Sequence, residues 1–131
     1  MCIRDRHKTF EPCQADVVLR DGEELAAGRL TVRCLAAPGH ADGLVVYEVL
    51  LDGERTWFCG DLLEARHAHR GVDLPWTGAP DFDRARYIQS LARLLTLPPC
   101  DHLLPGHGPA AIGCGKAVVE EAYSEALRKW R

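Results

Sequence analysis

The chain has 131 residues, of which 47% are hydrophobic and 27% charged, with a formal net charge of −3. That length implies one domain with room for a real core. The mild acidity argues against nucleic acid or an anionic membrane surface as partner, and no apolar run approaches the roughly 20 residues of a spanning helix. Six cysteines include no Cys-x-x-Cys pair. Cys34 and Cys59 sit inside apolar runs as small hydrophobes, which favours a reducing, cytoplasmic setting over a disulfide framework.

In chain order, Asp16-Val17-Val18-Leu19 reads as a short strand and Asp21-Gly22 as a turn pair. Leu30 to Leu35 alternates and is rich in β-formers, so it is predicted to be a strand ending at Pro38-Gly39, which presents His40. Leu44 to Leu51 and Arg55 to Cys59 flank Asp52-Gly53, a hairpin signal. The second run, Trp57-Phe58-Cys59-Gly60-Asp61, delivers a carboxylate past a glycine at a strand's carboxyl end. Residues 62 to 81 form a long loop holding His67 and His69. Asp81 is the expected N-cap of a helix on which Ile88, Leu91, Ala92 and Leu95 recur at helical spacing, stopped by Pro98-Pro99. His102-Leu103-Leu104 is a short strand leading into Pro105-Gly106-His107. After Gly113-Cys114-Gly115, a last helix carries Val119, Ala122, Tyr123, Ala126, Leu127 and Trp130 on one face.

His40, Asp61 and His107 each follow a strand and a glycine turn. Imidazole and carboxylate held at strand ends suit a borderline cation such as zinc. Taken together, Pro38-Gly39-His40, Phe58-Cys59-Gly60-Asp61 and Leu104-Pro105-Gly106-His107-Gly108-Pro109 resemble the last three metal motifs of the metallo-β-lactamase fold hydrolases, over roughly residues 15 to 131. The resemblance implies an αββα sandwich and a zinc centre of two ions, with iron or manganese as alternatives. It implies that His40 completes the first metal site, that Asp61 bridges both ions and that His107 completes the second. The chemistry it implies is attack by a metal-bound hydroxide on the carbonyl of a small-molecule ester, thioester or lactone, with glyoxalase II-like hydrolases the nearest group.

The family's first motif, His-x-His-x-Asp-His, belongs well before His40 and is absent. His67-x-His69 does not replace it, because it follows Asp61 and runs on into Arg70-Gly71; a solvated loop, or a loop shaping substrate entry, are its two readings. Residues 1–6 are similar to the translation of a transposon end used in sequencing libraries and are expected to be a non-native leader. The expectation is therefore that residues 7–131 are the C-terminal part of a bacterial metallohydrolase domain: an α/β (α+β) arrangement with one mixed sheet, helices on one face, and the other face open to self-association. Such a fragment is expected to be inactive alone. The alternative is a non-catalytic binding or structural module of the same fold.

Three further features have bland readings. Gly113-Cys114-Gly115-Lys116 mimics a phosphate-binding loop but has Ala110 and Ala117 where Gly and Ser or Thr are needed, so it reads as a helix entry. Asp42 reads as a surface turn residue, with a bond to the His40 imidazole as the sharper option. His102 reads as structural.

Overall fold

The computed structural model describes residues 14–66 and 71–130. His67 and His69 lie outside the described residues. Among the described residues, seven strands and two helices follow one another as β1 (Glu24–Ala27), β2 (Leu30–Ala36), β3 (Val45–Leu51), β4 (Glu54–Gly60), β5 (Glu64–Ala65), β6 (Val72–Asp73), α1 (Arg84–Leu94), β7 (His102–Pro105) and α2 (Gly115–Trp130). Five strands form a mixed sheet in the order β1-β2-β3-β4-β7, with β4 and β7 parallel and the other pairs antiparallel. β5 and β6 make a separate short ribbon.

The turns explain the meander. Asp52 and Gly53 have φ of 51° and 88°, the double positive φ that a tight type I′ hairpin requires. Gly28, with φ of 62°, opens the turn that folds β1 back on β2. The expected strand at 16–19 is absent: those residues are irregular, and Val17 and Val18 are exposed. Three apolar residues there find no strand partner among the described residues, whereas the poorer β-formers Glu24–Ala27 do, because the Gly28 turn sets their register on β2.

Strand register sorts the side chains by face. Leu35, Val46, Trp57, Cys59 and Leu103 lie on the face that meets Tyr87, Leu91, Leu94, Val118, Val119, Ala122 and Ala126 in one apolar cluster. Both helices therefore cover this face. The opposite face carries the row Cys34, Tyr47, Phe58 and Leu104. Tyr47 and Phe58 are 42% and 41% exposed, and Leu25 is exposed beside them. The face is not open throughout, since Cys34, Val49 and Thr56 are buried.

α1 begins later than expected. Asp83, not Asp81, is the N-cap: its carboxylate accepts from Arg86 N at 3.0 Å and its carbonyl accepts from Tyr87 N at 2.9 Å. Asp81 is instead held in the preceding turn, where Phe82 N donates to Ala79 O. The helix ends at Leu94, before Pro98-Pro99 is reached. At the start of α2, Gly115 N and Lys116 N donate to the carbonyls of Asp101 and Cys100. Those backbone partners, not an anion, satisfy this helix start, so Gly113-Cys114-Gly115-Lys116 is a helix entry.

Trp130 ends α2 half-buried, edge-on to Phe82 at 5.4 Å and to Tyr87 at 5.5 Å between centroids. Full burial of an aromatic would make truncation cost about 3–5 kcal/mol. Half-burial lowers the expectation for Trp130→Ala to about 2 kcal/mol, read as a lower denaturant midpoint with unchanged slope. A neutral result would show that the end of α2 does not hold the aromatic cluster.

Candidate metal centre

α1 positions the loops at the carboxyl ends of β2 and β4. Asp83 N donates to Gly39 O at 2.8 Å, Ser90 Oγ to Pro38 O at 2.7 Å, and Arg93 to Ala36 O at 2.8 Å. Tyr87 Oη donates to Leu62 O at 2.8 Å, just beyond Asp61. Arg93 also pairs with Asp21, whose carboxylate accepts from Ala36 N at 2.8 Å. That backbone bond, opposed in part by desolvation and helped by Arg93, holds the Asp21 carboxyl below its usual range.

The glycines of the three motifs have separate physical reasons. Gly39 has φ of 139°, and a Cβ there would sit 2.4 Å from the Tyr87 backbone, so the His40 loop and α1 meet at a point only glycine fits. A Cβ on Gly106 would lie 2.9 Å from Asp61 Oδ1. Gly106 N donates to Gly60 O at 2.7 Å as β4 and β7 finish side by side. Proline-glycine before the second histidine thus lets the β7 backbone pass against the carboxylate.

The result is a direct contact: His107 Nδ1 and Asp61 Oδ1 are 2.7 Å apart. His107 is largely exposed and Asp61 one-third exposed. At 2.7 Å the two atoms are hydrogen-bonded; ligands of one tetrahedral zinc, each about 2.0–2.1 Å from it, would stand about 3.3 Å apart, so the two side chains are close enough to share an ion once that bond opens. His40 is 7% exposed, and its buried Nδ1 has no hydrogen-bond partner. An orphaned buried nitrogen is costly unless something binds it. No group of three His, Cys, Asp or Glu among the described residues is placed to hold a metal ion. The fit to a metal is therefore partial: one hydrogen-bonded imidazole–carboxylate pair and one orphaned imidazole nitrogen, short of the three protein ligands a catalytic zinc takes.

The neighbours fall out of the centre. Asp42 pairs with Arg86 on α1 rather than with an imidazole. His102 Nδ1 accepts from Gly113 N at 2.9 Å while Nε2 faces Glu54 at 2.8 Å, a structural role. Burial pushes the Cys59 and Cys100 thiols up to about 12, so neither is a thiolate nucleophile near neutral pH. Sequence reasoning missed Glu48, which is buried and accepts from Trp57 Nε1 at 2.8 Å and from Arg55 at 2.8 Å. Its signal was visible as the one charge inside the apolar run of β3.

No family model matches the chain. It is 32% identical over 114 residues to a hydroxyacylglutathione hydrolase of Methylococcus capsulatus, covering 87% of this chain and 41% of that protein. Among solved structures it is similar to a metallo-β-lactamase family protein of Thermus thermophilus, with a TM-score of 0.68, 28% identity, and coverage of 89% of this chain and 37% of that one. It is also similar to TTHA1623, solved in a di-iron-bound form, with a TM-score of 0.58, 31% identity, and coverage of 81% and 48%. The chain thus spans less than half the length of each. No helix among the described residues is long and apolar enough to cross a membrane. With the mixed sheet, the helices on one face and motif residues at the ends of β2, β4 and β7, these likenesses agree on one conclusion: the chain belongs to the metallo-β-lactamase fold superfamily.

Proposed function

We propose that His40, Asp61 and His107 are part of the metal-ligand set of a hydrolase acting on an ester, thioester or lactone carbonyl, and that the remaining ligands come from outside the described residues. The contact between Asp61 and His107 carries the reading. It joins two residues 46 positions apart, and it does so only because β4 and β7 pair in parallel. The orphaned Nδ1 of His40 supports a third ligand at the same sheet end. A relative named for hydrolysing an acylglutathione supports acyl chemistry, and a relative with two irons supports a two-metal centre. When bound, such metals supply Lewis acidity and an activated water. The chain's own part is to hold the ligands, with Tyr87 and Ser90 of α1 fixing the loops that carry Asp61 and His40.

The test is to load the chain with zinc, iron or manganese, alone and joined to an upstream segment bearing His-x-His-x-Asp-His, and to measure metal content and thioester and lactone turnover. Alone, the chain is expected to bind weakly and turn nothing over. The joined form is expected to hold two ions and hydrolyse, with Asp61→Ala removing both properties. Metal content unchanged by Asp61→Ala would refute the ligand assignment. Tight two-metal binding and turnover by the chain alone would refute the need for outside ligands. A joined form that binds no metal would leave the non-catalytic module as the correct reading.

A further inference from the structure

At the far end of β4 from Asp61, on the helix-bearing face, a cleft of about 410 Å³ is lined by Glu24, Arg29, Thr31, Arg33, Glu48 and Arg55, among others. Ligand sites for small molecules start at about 300 Å³. The charged side chains there are three arginines against two glutamates, a local excess of positive charge on a chain whose net charge is −3. The arrangement is uneven. Glu48 is buried, and its Oε2 is taken by Trp57 Nε1. Its Oε1 takes Arg55 at 2.8 Å, which leaves Arg33 standing off at 3.8 Å with its side chain 39% exposed. Arg29 makes no hydrogen bond or ion pair among the described residues. One guanidinium is therefore held rigid by a buried carboxylate, and two more face the cleft with donors to spare. Two carboxylates, Glu48 and Glu24 (the latter opposite Arg33 in the β1–β2 register), stand against three arginines, so one positive charge in the cleft is left over.

From this we propose that the cleft is a binding site for a small phosphorylated molecule, its phosphate gripped by Arg33 and Arg29 and oriented against the fixed Arg55. Planar guanidinium forks bind phosphate oxygens in pairs. Arg33 and Arg29 offer donors for such a grip, the excess of one positive charge favours an anion, and the volume leaves room for the organic part. Because the site lies at the opposite end of the strand from Asp61, it stands or falls separately from the metal reading.

The experiment uses the full chain, metal-free, at low ionic strength, titrated with inorganic phosphate, glucose 6-phosphate, glucose and succinate by calorimetry. Saturable binding is expected for phosphate and more strongly for glucose 6-phosphate, and none for glucose. Arg33→Ala is expected to weaken binding about tenfold or more, the loss of a charge-assisted pair, and Arg29→Ala several-fold. Both side chains are exposed enough to leave folding intact; unchanged melting curves verify this, and Arg29→Ala decides alone if Arg33→Ala melts early. Arg128→Ala, at an exposed position on α2, should bind as the parent does. Absence of saturation, full affinity in both cleft variants, or equal affinity for succinate would each overturn the assignment.

Discussion

Gly39→Ala is expected to cost about 3–5 kcal/mol of folding stability. Two effects add. An L side chain held at a φ of 139° stores strain of about 1–3 kcal/mol. A Cβ 2.4 Å from the Cα and N of Tyr87 forces backbone apart from backbone, and overpacking of this kind costs about 1–3 kcal/mol more. The Tyr87 side chain is fully buried, so the helix cannot swing away cheaply. The bond from Asp83 N to Gly39 O would be lost with it. Against a total of about 5–15 kcal/mol for a domain, that change leaves little margin. Gly43→Ala is the control, since a Cβ there meets nothing within 4 Å. Denaturant midpoints compare the two, and equal midpoints would mean that the His40 loop is not docked on α1.

Glu48→Ala is the second large effect. Its carboxylate is 7% exposed and the Arg55 side chain 24%. Removing one member of a buried pair typically costs about 3–5 kcal/mol, because the other is left uncompensated. Arg55 reaches some water, which puts the expectation near 3 kcal/mol. The indole N–H of Trp57, on a side chain only 2% exposed, would also lose its acceptor. Glu48→Gln should cost less, because an amide oxygen still accepts from the indole. Equal losses for Ala and Gln in chemical unfolding would show that the charge, and not the indole bond, is what matters at this position.

Local chemistry was readable from the sequence, and meetings between distant segments were not. Asp52-Gly53 announced the β3–β4 hairpin because positive φ at both turn residues is a property of two adjacent positions. The apolar faces of both helices were likewise periodic. β1 escaped notice because Glu24–Ala27 has no β-like pattern and is exposed throughout; only its neighbour makes it a strand. β5 and β6, two residues each, are too short to show alternation. Asp81 and Asp83 are equivalent as caps in sequence, and the turn at 79–82 decides between them. Asp61 and His107 were legible as candidate ligands by residue type and setting. The closeness of their contact depends on Gly106 and on parallel pairing, which no local pattern encodes.

That parallel pairing has a consequence for how the molecule comes to be folded. β1–β2 and β3–β4 join by two-residue turns and β2–β3 by the eight-residue loop at 37–44, whereas β7 reaches β4 only after the β5–β6 ribbon and α1 have been placed. Contacts of high sequence separation must wait for the closure entropy of the intervening loop to be met. Closing the 46-residue span between Asp61 and His107 carries a length-dependent entropy cost of about 3 kcal/mol. The Asp61–His107 contact is thus expected to be among the last to form, and the first exposed when β7 detaches. An ion held between the two side chains would act as a cross-link across that span. Its effect would fall mainly on the rate of unfolding, leaving early hairpin formation untouched.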